Sequence, residues 1–260
     1  MIPAVHSMGT WQKYIWAEAS KFIKLPLDKP SLEEIIETHG IAALATLNSN
    51  LGTACSFLNS FGTMSPGDVV CQTSANSFLG KVVIQMAKLK GLKTVNLVRD
   101  ETGKEELYAL GASLCLTYDE CSPEIVRERL GSLPKFALCT VGGPLFANLL
   151  SLMEEKSTII VISAVNKAPL ELAATAVIFK QITLRGFWMS KWYQQAWEDN
   201  FVNANDKLWK ERIVMLESIL RLYKENKIKL PQCKTTPFDQ LKESELGQSK
   251  SEKQVITFTH

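Results

Sequence analysis

The sequence predicts an α/β protein built on a doubly wound parallel sheet of Rossmann type. Three observations carry this prediction. Strand-like and helix-like runs alternate regularly between about Pro66 and Trp197, the pattern of a parallel sheet with right-handed crossovers and helices on both faces. The strand-like runs are short and apolar, as strands buried on both faces are. Glycines stand where the intervening helices should end.

The elements follow in order. Asp68–Gln72 reads as the first strand, and a small polar turn from Thr73 to Ser77 follows it. Gly80–Leu89 then reads as a helix, with Val83, Ile84, Ala87 and Leu89 near a 3.6-residue period. Gly91 ends it. Thr94–Val98 is the second strand, and a charged helix runs from about Thr102 to Leu110, closed by Gly111. Leu114–Thr117 is the third strand, and Pro123 opens a helix at a favourable first-turn position. Phe136–Thr140 is the fourth strand, and Gly142-Gly143-Pro144 leads into a helix reaching Met153. Thr158–Ile162 is the fifth strand, and Gln181–Phe187 offers a sixth. Residues 1–65 and 225–260 show no clear alternation. A long helix from about Asp206 to Glu225 joins the sheet to the C-terminal flank, where Gln254–Phe258 reads as a closing strand after the polar stretch Lys242–Lys253. These limits divide the chain into residues 1–65, 66–197 and 198–260.

Composition excludes several classes. With 46% hydrophobic and 22% charged residues the chain is not disordered. A net charge of +2 gives no basic field for nucleic acid. Apolar runs such as Ile159–Val165 fall far short of a ~20-residue membrane span. Six cysteines without a CxxC pair, and only three histidines, give no structural zinc site and no metal ligands. Cys71 and Cys139 lie in apolar strand runs and read as small buried thiols, and the cysteine usage suits a reducing compartment. The start, Met1–His6, has neither a secretory signal pattern nor a visible transit peptide.

In such a sheet the phosphates of a dinucleotide sit where the first strand turns into its helix, against backbone N–H groups and the helix dipole. The turn here is Thr73-Ser74-Ala75-Asn76-Ser77-Phe78-Leu79-Gly80, with one of the three expected glycines. An NAD site wants a carboxylate at the end of the second strand, whereas Arg99 ends it here and favours a 2′-phosphate, hence NADPH. Asp100 and Glu101 follow directly. Taken singly, Arg99 and Lys253 also read as solvated charges, and Phe187, Trp188 and Trp192 as packing aromatics.

Several runs together resemble the mitochondrial trans-2-enoyl-CoA (enoyl thioester) reductases, a zinc-free branch of the medium-chain dehydrogenase/reductase superfamily. They are Met8-Gly-Thr-Trp11, Asn76-Ser77-x-x-Gly80, Val83-Ile-Gln85, Thr94-x-Asn96-x-Val98-Arg-Asp100, Leu110-Gly-Ala112, Val141-Gly-Gly143 and Ile178-Phe-Lys180. The most specific are Leu184-Arg-Gly-Phe-Trp-Met-Ser-Lys-Trp192 and Lys253-Gln-Val-Ile-Thr257. The resemblance extends over essentially the whole chain.

What the resemblance implies is an NADPH-dependent reduction of trans-2-enoyl thioesters, carried by coenzyme A or acyl carrier protein, in mitochondrial fatty-acid synthesis. The fold it implies is the Rossmann sheet flanked by a partial GroES-like catalytic lobe, with a homodimer as the family's usual assembly. It carries the cofactor contacts onto Asn50, Asn76, Ser77, Phe78, Leu79, Arg99, Asp100, Glu101, Ile162, Ser163, Ala164, Val165, Phe187, Trp188, Met189, Ser190 and Lys253. Phe78, Ser163 and Ala164 stand where the family has glycine, and Glu101 where it has a basic residue, so a weakened cofactor cleft is expected. The family's lobe begins well upstream of its Gly-Thr-Trp run, and Tyr14, Tyr108, Tyr118, Tyr193 and Tyr223 do not occupy the motif of its proton-donor tyrosine. No catalytic residue is therefore assigned. The alternative is a non-catalytic paralogue or isoform with weak nucleotide binding or none.

Overall fold

The structure is a computed structural model that describes residues 1–5, 8, 12, 14–241 and 253–258. Gly9, Thr10 and Trp11 of the first family-like run, and residues 242–252 of the polar stretch, lie outside the described residues. The chain divides into two compact units, residues 54–187 and residues 1–53 with 188–260.

The unit 54–187 holds a six-stranded, fully parallel sheet. In chain order its strands are Val69–Gln72, Lys93–Val98, Leu114–Thr117, Phe136–Cys139, Thr158–Val161 and Thr183–Gly186. Their spatial order is third, second, first, fourth, fifth, sixth. That order is the dinucleotide-binding Rossmann arrangement, in which the winding reverses between the first and fourth strands.

Alternation along the strands sends successive side chains to opposite faces. Val69, Cys71, Val95, Leu97, Ala137, Cys139 and Ile159 pack with Val126, Leu130, Phe146, Leu149 and Leu150 of the helices Pro123–Leu130 and Pro144–Leu152. Val98 and Cys115 face the other way, onto Ile84 of Phe78–Leu89 and Leu107 of Lys104–Leu110. A fully buried ring such as Phe146 contributes ~1.5–3 kcal/mol of transfer free energy. The second face also buries a polar strip. Gln72 Nε2 donates to Gly80 O (2.9 Å) and to Asn96 Oδ1 (2.8 Å), and Asn96 Nδ2 reaches Leu114 O (3.1 Å). This strip joins the first three strands and the first helix. Burial pushes the Cys71 and Cys139 thiols up, as inert core thiols require.

The other unit departs from the expected irregularity of residues 1–65. Helices occupy Lys29–His39, Ala42–Ala45, a π-helical turn Leu47–Leu51, and Gly52–Asn59, which crosses the division. The pattern was hidden because the helices are short and are interrupted at Gly40, which sits at φ 74°. Asp28 caps the first of them by accepting from Ser31 N (2.9 Å). Two further helices, Met189–Phe201 and Lys207–Lys224, pack against each other. The first was hidden by its aromatic content, although Met189, Tyr193 and Ala196 are buried at helical spacing. The expected C-terminal strand forms as Lys253–Thr257, paired in parallel with Cys233–Pro237.

Candidate functional site

The first strand ends at Gln72, and the helix Phe78–Leu89 begins after a five-residue turn. Ser77 is its N-cap, and its hydroxyl accepts from Gly80 N at 3.1 Å. The N–H groups of Phe78 and Leu79 belong to the first helical turn, where no intrahelical acceptor exists, so the turn offers donors and a positive dipole end to an anion. A Cβ on Gly80 would stand 2.7 Å from the Ala75 Cα. Only glycine fits so close an approach of helix to turn, the role of the last glycine in a dinucleotide fingerprint. Phe78, by contrast, is 7% exposed, so its bulk is packed within the protein.

Asn76 ties this turn to the end of the second strand, since its Nδ2 donates to Thr102 O (2.9 Å). Its Oδ1 is buried without a partner. Arg99, Asp100 and Glu101 are exposed on that loop. Both carboxylates are engaged locally. Asp100 accepts from Thr102 N (2.8 Å), and Glu101 pairs with Lys104 (2.7 Å), which also pairs with Glu120 (2.7 Å). Burial works against the Lys104 charge, but the two carboxylates prevail and raise its pKa. The repulsion expected of Glu101 is therefore partly compensated, and Arg99 is left as the exposed charge facing solvent at the end of the second strand.

The segment Ile162–Val165 crosses the end of the fourth strand, with Ile162 N on Cys139 O (3.0 Å) and Val165 N on Thr140 O (2.9 Å). Ser163, Ala164 and Val165 are exposed, and Ile162 is half-buried. Phe187 N bonds Val161 O (2.9 Å), and its half-buried ring meets Phe61 edge-on at 5.0 Å. Four groups of expected contacts within this unit thus gather at one end of the sheet, beyond the carboxyl ends of its strands. Gly142 and Gly143 make the neighbouring turn, where Asn166 clamps Gly142 N and O (both 2.9 Å) and a Cβ on Gly142 would meet the Ala168 backbone.

Sequence reasoning missed a hydroxyl cluster at the reversal point between the first and fourth strands. Thr140 N donates to Thr73 Oγ1 (2.8 Å), the two threonine hydroxyls are 3.0 Å apart, and Thr140 Oγ1 donates to Ser74 Oγ (2.9 Å). Thr73 and Thr140 are buried. Burial raises the Tyr118 phenol well above its usual range, opposed by a hydrogen bond from the Ser74 backbone. Being the first residues past two adjacent strand ends was the signal that could have flagged Thr73 and Thr140.

Asn50, Trp188, Met189, Ser190 and Lys253 belong to the other unit. Asn50 lies half-buried in the π-helical turn and accepts from Ser49 Oγ (3.1 Å), a helix type frequent at functional sites. Trp188 is exposed, Met189 is buried, and Ser190 and Lys253 are half-buried. The π-helical turn is held from within. The Tyr193 hydroxyl donates to Asn48 O (2.7 Å), and the Arg212 guanidinium lies 3.9 Å from the Tyr193 ring centroid. Arg212 is fully buried and spends its fork on Ala4 O (2.6 Å) and Pro3 O (2.8 Å). Burial pulls its pKa down to about 10, with Tyr193 opposing. Arg212 lies within the apolar stripe Leu208, Met215, Leu216, Ile219, a signal that could have marked it as buried. In this unit an open cavity of about 470 Å³ is walled by Val5, Met8, Ile15, Trp16 and Trp197.

The strand order, the capped turn and the close-packed Gly80 define a dinucleotide-binding α/β domain of the dehydrogenase type. Residues 79–205 match the family described as zinc-binding dehydrogenase. Among the described residues no group of three or more His, Cys, Asp or Glu could hold a metal ion. The mitochondrial enoyl-[acyl-carrier-protein] reductase of Arabidopsis thaliana is 33% identical over 269 residues, covering 99% of this chain and 66% of the relative. The Homo sapiens protein of the same name is 30% identical over 266 residues, with the same two shares. The chain thus spans just under two thirds of the length of these relatives. A mutant enoyl thioester reductase from Candida tropicalis superposes with a TM-score of 0.81 at 26% identity, covering 98% of this chain and 72% of that one. The Etr1p complex with NADP and crotonyl-CoA gives 0.82 at 26% identity, with the same coverage. Over nearly its whole length the chain is thus similar to mitochondrial enoyl thioester reductases.

Proposed function

We propose that this protein takes part in the NADPH-dependent reduction of trans-2-enoyl thioesters of coenzyme A or acyl carrier protein, in mitochondrial fatty-acid synthesis. The observation that carries the reading is the turn Thr73–Gly80 at the end of the first strand. The cradle at Gly80, which a Cβ would fill, and the buried, unpartnered Oδ1 of Asn76 fit a dinucleotide at this place. Relatives support the rest, since one solved neighbour is a complex with NADP and crotonyl-CoA.

When bound, NADPH would supply the hydride for the β-carbon of the conjugated thioester, and water would supply the proton for its α-carbon. The chain's own residues hold the cofactor. Phe78 N–H and Leu79 N–H would hold the pyrophosphate, and Asn76 fixes the turn against Thr102. Arg99 would hold the 2′-phosphate as a charge-assisted partner, while Glu101 is drawn aside onto Lys104. Ile162–Val165 and Phe187 would supply further contacts within the same unit.

A second reading, nucleotide binding without efficient turnover, is favoured by the tyrosines. Tyr108 OH accepts from Cys115 N (3.1 Å), Tyr193 OH donates to Asn48 O, Tyr223 OH donates to Ala43 O (3.4 Å), and Tyr118 OH meets the Ser74 backbone. Four of the five phenols are thus engaged with backbone. The two readings separate in one experiment, calorimetric titration with NADPH followed by NADPH consumption with crotonyl-CoA. Binding with consumption supports the first reading, and binding alone supports the second. Absence of binding overturns both.

We also propose a homodimer across the sixth strand. Thr183–Gly186 is an edge strand, and beside it Ile178 and Phe179 of Ala174–Lys180 are 65% and 73% exposed. An open apolar edge of this kind is normally covered.

A further inference from the structure

We propose that the Ser74 hydroxyl is a further cofactor ligand, the outward donor of a Thr73–Thr140–Ser74 hydroxyl chain that gives its proton to an oxygen of the bound dinucleotide. The proposal rests on the reading of this site as a dinucleotide site.

Proton counting gives the chain its direction. Thr140 Oγ1 donates to Ser74 Oγ at 2.9 Å, so its proton is used. The contact between Thr140 Oγ1 and Thr73 Oγ1 (3.0 Å) is then open only to the Thr73 proton, whose other acceptor is Leu138 O (3.5 Å), and Thr73 Oγ1 in turn accepts from Thr140 N (2.8 Å). With either acceptor, two of the three hydroxyl protons are used within the protein. The third, on Ser74, has no acceptor among the described residues, and it sits on the half-buried member while the other two are buried. A hydroxyl that already accepts a hydrogen bond is a stronger donor, because bonds in a chain polarise one another.

Backbone strain marks the same residue. Ser74 has φ 53°, a left-handed conformation that a serine adopts at a cost. Glycine would relieve that cost, yet serine stands there. The strain is held from both sides, by Thr140 on the hydroxyl and by Tyr118 on the backbone. The position is also right for a ligand. Thr73 and Ser74 leave the first strand, and Thr140 leaves the fourth, so the donor lies beyond the strand ends where the winding reverses. Doubly wound sheets bind their ligands in that crevice. This donor is separate from Arg99, which answers only to the 2′-phosphate.

The test is calorimetric titration of the full chain with NADPH and with NADH, for wild type, Ser74→Ala, Ser74→Gly, Thr140→Val and the Ser74→Ala/Thr140→Val pair, with thermal midpoints alongside. The expected result is a three- to tenfold weaker Kd for both cofactors in Ser74→Ala and Ser74→Gly, the size of one hydrogen bond. Ser74→Gly should do this while keeping or raising the thermal midpoint, which a purely structural serine would not. The double variant should be no weaker than Ser74→Ala, because both changes break one chain. Unchanged or tighter binding in Ser74→Gly overturns the proposal. So does weakening of NADPH alone, which would place Ser74 in the 2′-phosphate site. If wild type binds neither cofactor, the dinucleotide reading itself falls, and this proposal falls with it.

Discussion

Arg99 concentrates the cofactor question in one side chain. It is exposed at the end of the second strand, and the two carboxylates after it are taken up by Thr102 N and Lys104. Removing it should cost one charge-assisted bond, ~1.5–3 kcal/mol, or about tenfold or more in affinity for NADPH. NADH, which lacks the 2′-phosphate, should bind Arg99→Ala as it binds wild type. Parallel titrations check this, and a variant that still prefers NADPH would show that another cation reads the phosphate. Arg99 was legible in the sequence because strand ends are visible as the limits of apolar runs. Ser74 was not, because nothing in a sequence displays a φ angle or the meeting of two strand ends.

Among the elements, the first strand, turn and helix form the unit on which the site depends. Gly80→Ala would press a Cβ onto backbone rather than onto a movable side chain, a kind of overpacking that costs ~1–3 kcal/mol. A lower urea midpoint with unchanged slope is expected, together with weaker NADPH binding. The start of the same strand carries a pH dependence. Asp68 accepts from Lys135 Nζ (2.8 Å) and from Ser65 N (2.9 Å), and the Lys135 bond leads in holding its carboxyl below the ordinary value. A carboxylate depressed in the folded state stabilises above its unfolded pKa, and this contribution is lost as pH falls through ~4 and below. Asp68→Asn should therefore flatten the acid limb of stability below pH ~5, read by urea midpoints. An unchanged acid limb would remove Asp68 from the account. The strands here were legible from composition, since burial on both faces leaves few polar positions. The helices at Lys29–Asn59 were not, because their turns are short, one is π-helical and Gly40 breaks the period.

For the molecule as a whole, the doubly wound parallel sheet followed from the alternation, because right-handed crossovers put helices on both faces. The order of its strands depends on which strands pair, a long-range property. The edge strand Thr183–Gly186 and its exposed neighbours Ile178 and Phe179 predict a dimer in sedimentation. Phe179→Glu should shift it to monomer with the fold retained, and a wild-type monomer at high concentration would contradict that assembly. The central claim is that the NADPH site serves enoyl thioester reduction. It is tested most directly by incubating the full chain with NADPH and crotonyl-CoA and following butyryl-CoA by mass. The account predicts product that requires NADPH, formed much more slowly with NADH. Because four tyrosine hydroxyls are engaged with backbone, the rate should lie ~10²–10⁴-fold below that of an efficient family enzyme, the usual worth of general acid assistance. A chain that binds NADPH yet yields no butyryl-CoA above the uncatalysed control would contradict it.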